Sequence, residues 1–383
     1  MQKRMAFMIV FFGLMGAAGL AEIADGWIVE QVSDSGYIEP YTKPQISQGN
    51  IAWLEYRDGK NQVFFWDGNI VQPISELPGD CGDPRISGNH VTWRQYNGGI
   101  TQIMLYNGSD TMQLTSGNNY RLNPSISGSH VVWIETIGTF YTVVLWDGTN
   151  TQPLSSNVDC SEPVADANQI AWVENYKKIQ LWDDSETTVI TQSTDYTTQL
   201  RLSDNQIIWL ETDELDLPEA MGKVMLWDGN SVQQLSDGAN CSQPCISQGH
   251  AAWIENNQIM YWNGSTVSSL TANSKRKTGL TISQNRVIWS EQPGLVPVFL
   301  LYLWDSNTLV RFTDMPGCGS PAIWQDRIAW LAYDDDYDMQ VFFARPGTIP
   351  AAIPGDINQD QSVNILDFSI LADNWLKSSA SGG

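Results

Sequence analysis

A stretch near the C-terminus has the residue types and spacing of a calcium-binding loop. It runs from Asp356 to Asp367 and carries oxygen side chains at loop positions 1, 3, 5, 9 and 12. Such a set suits a hard cation that prefers oxygen ligands, and calcium is the cofactor we expect. The expected ligands are the side chains of Asp356, Asn358, Asp360 and Asp367, the carbonyl of Ser362 and, through a water molecule, Asn364.

A second set of carboxylates recurs two residues after a tryptophan. Its members are Glu55, Glu135, Glu174, Glu211, Glu255 and Glu291. Residues two apart on a strand face the same side, so we expect this glutamate ring near the strand ends, on a candidate ligand face. Like charges there would bind a cation or a hydroxyl-rich ligand and raise some carboxylate pKa values. The alternative is hydrogen bonding to loop backbone, or solvation.

Four of the five cysteines are also periodic. Cys81, Cys160, Cys241 and Cys318 each lie three residues before a recurring proline. Export would favour disulfides, but neighbouring sheets pack about 10 Å apart and bridged Cα atoms need less than about 7 Å. A four-thiolate metal site on the axis is a sharper alternative, and small, partly buried loop residues are a simpler one. The sequence does not decide whether this set or the glutamate ring binds a metal.

The periodic glutamates and cysteines belong to a repeat of about forty residues. Its marker is a tryptophan in segments such as Ile51-Ala-Trp53, and successive tryptophans are 36 to 44 residues apart. The eight copies are marked by Trp53, Trp93, Trp133, Trp172, Trp209, Trp253, Trp289 and Trp330. Alternating apolar residues and Asp-Gly or Asn-Gly turns predict four antiparallel strands per copy. Four strands repeated eight times predict an all-β, eight-bladed β-propeller.

The two ends of the repeat region complement each other. The eighth copy lacks a fourth strand, and residues 25–34 match the fourth strand of copy five, residues 228–237. We therefore expect the N-terminal strand to close the last blade and to remove two free sheet edges.

The repeat resembles the β-propeller repeats of the TolB and PD40 kind. The resemblance rests on Pro-x-Ile-Ser, the Ile-x-Trp strand and the Leu-Trp-Asp-Gly turn, over about residues 25–345. It implies the fold and leaves the activity open, because propellers host many unrelated functions.

The C-terminal loop, with the helix predicted after it, resembles one repeat of a type I dockerin. That resemblance implies calcium binding and docking to a cohesin-like partner, with Ile365 and Leu366 as the candidate contact pair. Dockerins normally carry two repeats, whereas this chain has one, and Gln361 stands where a glycine is usual. The alternative is a calcium-stapled cap on the propeller.

Composition and the first residues indicate an exported binding protein. Lys3 and Arg4 precede an apolar run that ends in Gly19-Leu-Ala21, as in a cleaved secretory signal. We expect a secreted or cell-surface monomer with no membrane insertion after cleavage. The net charge of −23 argues against nucleic acid as a partner, because phosphate affinity comes mainly from lysine and arginine.

The predicted order is a signal peptide at 1–21, the propeller at 22–348, a linker at 349–354, the dockerin-like loop and helix at 355–377, and a disordered tail at 378–383. The favoured function is a non-catalytic propeller that binds a protein or polysaccharide, with the tail attaching it to an extracellular assembly. The alternative is a glycoside hydrolase or lyase carried by that tail. Familiar catalytic motifs are absent from the sequence, so enzyme activity is left uncertain. For a catalytic carboxylate pair, the residues to inspect are Glu214, Asp216 and Glu219.

Overall fold

The computed structural model describes residues 26–347 except 35–36, 40–41, 76–78, 214–220, 239, 295–298, 314 and 316. The signal peptide, the linker, the calcium loop with Ile365 and Leu366, and the insert acids Glu214, Asp216 and Glu219 lie outside these residues. Within them the chain folds into 32 strands in eight four-stranded antiparallel sheets. The all-β, eight-bladed propeller predicted from the repeat is confirmed.

The blades follow the sequence repeat, each running from the innermost to the outermost strand. Blade 1 consists of β2 (Gln45–Ser47), β3 (Asn50–Arg57), β4 (Lys60–Trp66) and β5 (Val71–Pro73). Blade 2 consists of β6 (Asp80–Ser87), β7 (His90–Asn97), β8 (Ile100–Tyr106) and β9 (Thr111–Gln113). Blade 3 consists of β10 (Arg121–Ser127), β11 (His130–Ile137), β12 (Phe140–Trp146) and β13 (Thr151–Pro153). Blade 4 consists of β14 (Cys160–Asp166), β15 (Gln169–Glu174), β16 (Lys178–Trp182) and β17 (Thr187–Gln192).

The other four blades have the same order. Blade 5 consists of β18 (Tyr196–Ser203), β19 (Gln206–Thr212), β20 (Lys223–Trp227) and β21 (Val232–Gln234). Blade 6 consists of β22 (Cys241–Ser247), β23 (His250–Glu255), β24 (Gln258–Trp262) and β25 (Val267–Ser269). Blade 7 consists of β26 (Lys277–Ser283), β27 (Arg286–Glu291), β28 (Leu300–Asp305) and β29 (Thr308–Thr313). Blade 8 consists of β30 (Gly319–Trp324), β31 (Arg327–Tyr333), β32 (Met339–Pro346) and, as its fourth strand, β1 (Trp27–Gln31).

The chain divides into two compact units. The first contains Val29–Arg345 and holds the blades. The second combines Asp25–Ile28 with Pro346–Gly383, and in its described part the Gly347 amide donates a hydrogen bond to the Gly26 carbonyl at 3.0 Å. No helix in the described part of the chain has the length and hydropathy to cross a bilayer.

The apolar core lies between successive blades and not within single ones. All eight marker tryptophans are at most 1% exposed, because their large rings fill the space between the faces of adjacent sheets. The innermost strand of each blade contacts that of the next, and β2 contacts β30. A cluster that includes Trp53 from blade 1 and Phe343 from blade 8 closes the circle.

Hydroxyl side chains add polar links between the innermost strands. Ser47 accepts a hydrogen bond from the Gly88 amide at 2.9 Å, and Ser87 accepts one from Gly128 at 2.9 Å. Ser283 accepts one from the Gln325 amide at 2.7 Å. These bonds set neighbouring blades at the same height, so equivalent residues of different blades face the axis at one level.

Candidate functional site

The glutamate ring lies within the blades. Five of its six members are buried, and Glu211 is half-buried. Four of the glutamates accept a hydrogen bond from the indole of the tryptophan two residues earlier. Trp53 Nε1 donates to Glu55 at 3.0 Å, and Trp133 and Trp253 donate to their glutamates at the same distance. Trp209 donates to Glu211 at 3.3 Å. In these four copies the Trp-x-Glu spacing satisfies a buried indole N–H, whereas the buried indole N–H groups of Trp172 and Trp289 have no hydrogen-bond partner among the described residues.

Several of these glutamates also form ion pairs with basic side chains. Glu135 pairs with Arg121, its register partner on the innermost strand, at 2.9 Å. Glu55 contacts Arg57 at 2.6 Å and Glu174 contacts Lys178 at 2.8 Å. The carboxylates of these three glutamates thus have partners inside their own blades, which the sequence pattern does not specify.

The pKa values of these carboxyls depend on the number of donors. Burial raises the pKa of Glu55 despite the hydrogen bonds from Trp53 and Arg57. Burial also acts to raise the pKa of Glu135, but hydrogen bonds from Arg121, Trp133 and Asn119 together bring it below its ordinary value. Donated hydrogen bonds favour the charged form, so Glu135 is held as a carboxylate.

Two of the periodic cysteines occupy the register position opposite a glutamate of this ring, and Cys81 pairs with Gln95 at the same position. Cys160 pairs with Glu174, and Cys241 pairs with Glu255. All five cysteines are free thiols, and the periodic four are buried. Burial raises the pKa of Cys160 to about 11 and that of Cys241 to about 12. Among the described residues, no three His, Cys, Asp or Glu side chains come together as a metal site, so neither the four cysteines nor the glutamates assemble one there.

One face of the propeller carries exposed aromatic side chains. We call it the tyrosine face; it contains the turns between second and third strands and the starts of the innermost strands. Both features lie at one end, because the first residue of an innermost strand pairs with the last residues of the second strand, as Arg121 pairs with Glu135. The exposed tyrosines at this face are Tyr37, Tyr56, Tyr96, Tyr120, Tyr141, Tyr176 and Tyr337.

These tyrosines come from blades 8, 1, 2, 3 and 4, which are consecutive around the circle. Tyr37 and Tyr56 form an edge-to-face pair with ring centroids 6.5 Å apart. Tyr96 ends the second strand of blade 2, and Tyr337 is 78% exposed in the turn before β32. These tyrosines are not among the residues predicted from the sequence; the signal that could have found them is a tyrosine directly after the Trp-x-Glu position in blade 1.

A cleft of about 910 Å³ lies between blades 8 and 1. Its lining includes Glu30, Asp67, Ile70, Arg327 and Arg345. Burial raises the pKa of Glu30, and Arg345 lowers it in part. The lining holds both charge signs and the turns opposite the tyrosine face, so it offers mixed polar contacts and no carboxylate cluster.

Comparison with solved structures supports the fold alone. A computationally designed protein, Ika8, aligns with a TM-score of 0.55 and 16% identity over 80% of this chain and 98% of that one. The β-propeller domain of the Trilobed protease from Pyrococcus furiosus, described as having an open velcro topology, gives 0.50 and 13% over 72% and 95%.

A prolyl endopeptidase structure gives a TM-score of 0.51 at 10% identity. It matches 80% of this chain, which spans 55% of that one. No family model matches the sequence, and no curated protein matches it. The chain is thus an eight-bladed β-propeller with peptidase propeller domains among its structural neighbours.

Proposed function

We propose that the chain is an exported, non-catalytic β-propeller that binds a polysaccharide on the tyrosine face. The observation that carries this proposal is the row of exposed tyrosines on consecutive blades. Tyrosine offers a rigid apolar ring with a polar tip, which suits the alternating C–H and hydroxyl surfaces of a sugar chain. A row spread over five blades matches an elongated ligand better than a small one.

The negative net charge of the protein favours a neutral polysaccharide over an anionic one. The protein carries 43 acidic and 20 basic residues, so its field repels polyanions approaching the outer surface. A neutral glycan escapes this repulsion. The Trp-x-Glu hydrogen bonds also support a binding role over glycan cleavage, because they give the recurring carboxylates structural partners and leave them poorly placed to act as an acid and base pair.

The C-terminal segment supplies the attachment in this proposal. Its loop residues Asp356 and Asp367, with those between them, provide the oxygen ligands of a calcium site. Docking to a cohesin-like extracellular protein through Ile365 and Leu366 would place the propeller beside other components of an assembly. The support for this part is the sequence motif.

Binding to a panel of neutral polysaccharides tests the role of the tyrosine face. We expect retarded migration of the wild-type protein in a gel containing its glycan, and loss of most retardation in Tyr56→Ala/Tyr96→Ala. The matched control is Leu309→Ala, which removes an exposed apolar side chain from an outermost strand. Equal retardation of both variants would reject the tyrosine face, and capture of a protein in place of any glycan would replace the proposed ligand class.

A further inference from the structure

Three basic side chains lie on the inner wall of the propeller. Arg85 and Arg201 occupy the same register position on the innermost strands of blades 2 and 5, opposite Thr92 and Ile208. Those partners directly precede the marker tryptophans of the two blades. Lys43 lies two residues before β2, the innermost strand of blade 1. Arg85 and Arg201 therefore lie at one height on the axis. Lys43 lies two residues before Gln45, the equivalent position of blade 1, on the side of the tyrosine face.

The side chains approach one another across the axis. Blades 1 and 5 are half a circle apart, yet Arg201 acts electrostatically on Lys43, as does Arg85. Burial, followed by these two guanidinium groups, lowers the pKa of Lys43 to about 8, while the Cys245 thiol opposes the shift. All three basic side chains are nevertheless exposed to solvent. Side chains that are surrounded by protein and still contact solvent are expected in a narrow, water-filled channel.

The acidic side chains near these groups have other partners as well. Asp83, which precedes Pro84 on the same strand as Arg85, acts electrostatically on Arg85, but its carboxylate forms an ion pair with Arg94 at 2.6 Å. Glu162 accepts hydrogen bonds from the Leu200 amide at 2.6 Å and from Thr198 Oγ1 at 2.8 Å.

The basic groups have few partners of their own. Arg85 and Arg201 donate to the carbonyls of the residues just before them, at 3.0 and 2.8 Å. Among the described residues, no ion pair includes Lys43, Arg85 or Arg201.

We propose that Lys43, Arg85 and Arg201 form an oxyanion-binding site in the central channel. Guanidinium groups present planar, paired N–H donors that match carboxylate, sulfate and phosphate oxygens, and a lysine adds a point charge. Like charges held together repel one another, and a bound anion relieves that repulsion. The site differs from the tyrosine face in position and in chemistry, so each can fail without the other.

Calorimetric titration with inorganic phosphate, inorganic sulfate and a short oligo-uronate tests the site. We expect saturable binding of one anion per chain in the wild type. Arg85→Gln/Arg201→Gln should weaken binding by about tenfold or more, equivalent to about 1.4 kcal/mol. The matched control is Lys223→Gln/Arg311→Gln, which removes the same charge from a third strand and an outermost strand and should bind as the wild type does.

Thermal unfolding provides a second measurement, in which the variant should differ from the wild type in opposite ways without and with anion. Without anion, Arg85→Gln/Arg201→Gln should melt above the wild type because the repulsion is gone; with anion, only the wild type and the control should gain stability. Binding of phosphate or sulfate identifies a free oxyanion as the ligand. Binding of the oligo-uronate alone identifies an anionic group carried on a polymer. Absence of binding by all three probes, or equal weakening in the control, overturns the site.

Discussion

Ser33 and Val341 are 308 residues apart, and the Val341 amide donates a hydrogen bond to Ser33 Oγ at 2.8 Å. The same hydroxyl donates to Gln340 Oε1 at 2.6 Å. Ser236 accepts the equivalent bond from the Val224 amide in blade 5 at 3.0 Å, and Ser75 accepts it from Val63 in blade 1 at 2.8 Å. The N-terminal segment thus makes the polar contact of a regular fourth strand.

Ser33→Ala should destabilise the propeller. The hydroxyl is 1% exposed, and its loss leaves a buried amide and a buried amide oxygen without this partner, at a cost of about 1–3 kcal/mol. Urea unfolding measures the change in free energy. Ser109→Ala, in an exposed turn, is the control and should stay within about 0.5 kcal/mol of the wild type. Indistinguishable curves for the two variants would contradict the role given to Ser33.

The closure could be predicted from the sequence because residues 25–34 repeat the pattern of residues 228–237. The blades could be predicted as well, since tryptophans such as Trp53 and Trp93 mark every copy. The hydrogen-bond partner of the glutamates could be predicted less well from the sequence. The same-face rule put Glu55 beside Trp53, but it did not say whether the carboxylate meets an indole N–H or solvent.

The channel cations were beyond sequence reasoning for a geometric reason. Lys43 precedes its blade's proline, whereas Arg85 follows Pro84 and Arg201 follows Leu200. They belong to blades 1, 2 and 5, so no periodic pattern joins them. Only closure of the circle brings these side chains towards one axis. The calcium loop lies outside the described residues and stays a prediction.

Arg121→Met should be strongly destabilising. Arg121 is 2% exposed and donates to Glu135 and to carbonyls that include Ser116 and Thr101. Removing it leaves a buried carboxylate uncompensated, which costs about 3–5 kcal/mol. Lys178→Met, at a more exposed ion pair, should cost about 1 kcal/mol or less. Urea unfolding of both variants gives the comparison.

The pH dependence of the stability of Arg121→Met tests whether the uncompensated charge of Glu135 causes the destabilisation. In the wild type the pKa of Glu135 is lowered, so its stabilisation is full above the ordinary carboxyl pKa and is lost as pH falls through the lowered one. Without Arg121, burial should raise the pKa of Glu135, and the deficit of Arg121→Met should shrink as pH falls from 6 towards 4. A deficit that is constant over this range would show that lost packing, not charge, is the cause.

The periodic thiols should be unreactive in the folded protein. Burial raises the pKa of Cys81 to about 11, as for Cys160, and that of Cys241 to about 12. At pH 8 a thiol of pKa 11 is about 0.1% thiolate, and the thiolate is the reactive form. A colorimetric disulfide reagent should detect these thiols only after denaturation. Fast stoichiometric reaction in native buffer would show that they are accessible.

Asp356→Ala should abolish calcium binding by the full chain. The change removes the first carboxylate of a loop whose affinity depends on its charged ligands. Calorimetry with calcium should give a saturable heat for the wild type and none for the variant, while Asp373→Ala, beyond the last loop ligand, should retain it. Identical heats for wild type and Asp356→Ala would reject the calcium site.

The turns between third and fourth strands should make the stability of the folded protein sensitive to acid. Asp147 accepts hydrogen bonds from the Thr149 and Asn150 amides at 2.8 and 2.7 Å, and bonds from Asn150 and then Thr149 lower its pKa. Asp183 and Asp228 are lowered in the same way, first by bonds from Glu186 and Ser231. Stability from these groups is complete above the ordinary pKa of 3.8 and is lost as pH falls through the lowered values,.

The chain itself supplies the control for this effect. Asn107 and Asn263 accept the same pair of amide bonds with an uncharged oxygen. Asp147→Asn/Asp183→Asn/Asp228→Asn should therefore keep the turns and unfold with a shallower loss of stability between pH 5 and pH 2.5. Chemical unfolding at several pH values measures the slope. An unchanged slope would mean that the acid sensitivity arises elsewhere, with Glu135 the next carboxylate to examine because its pKa is also lowered.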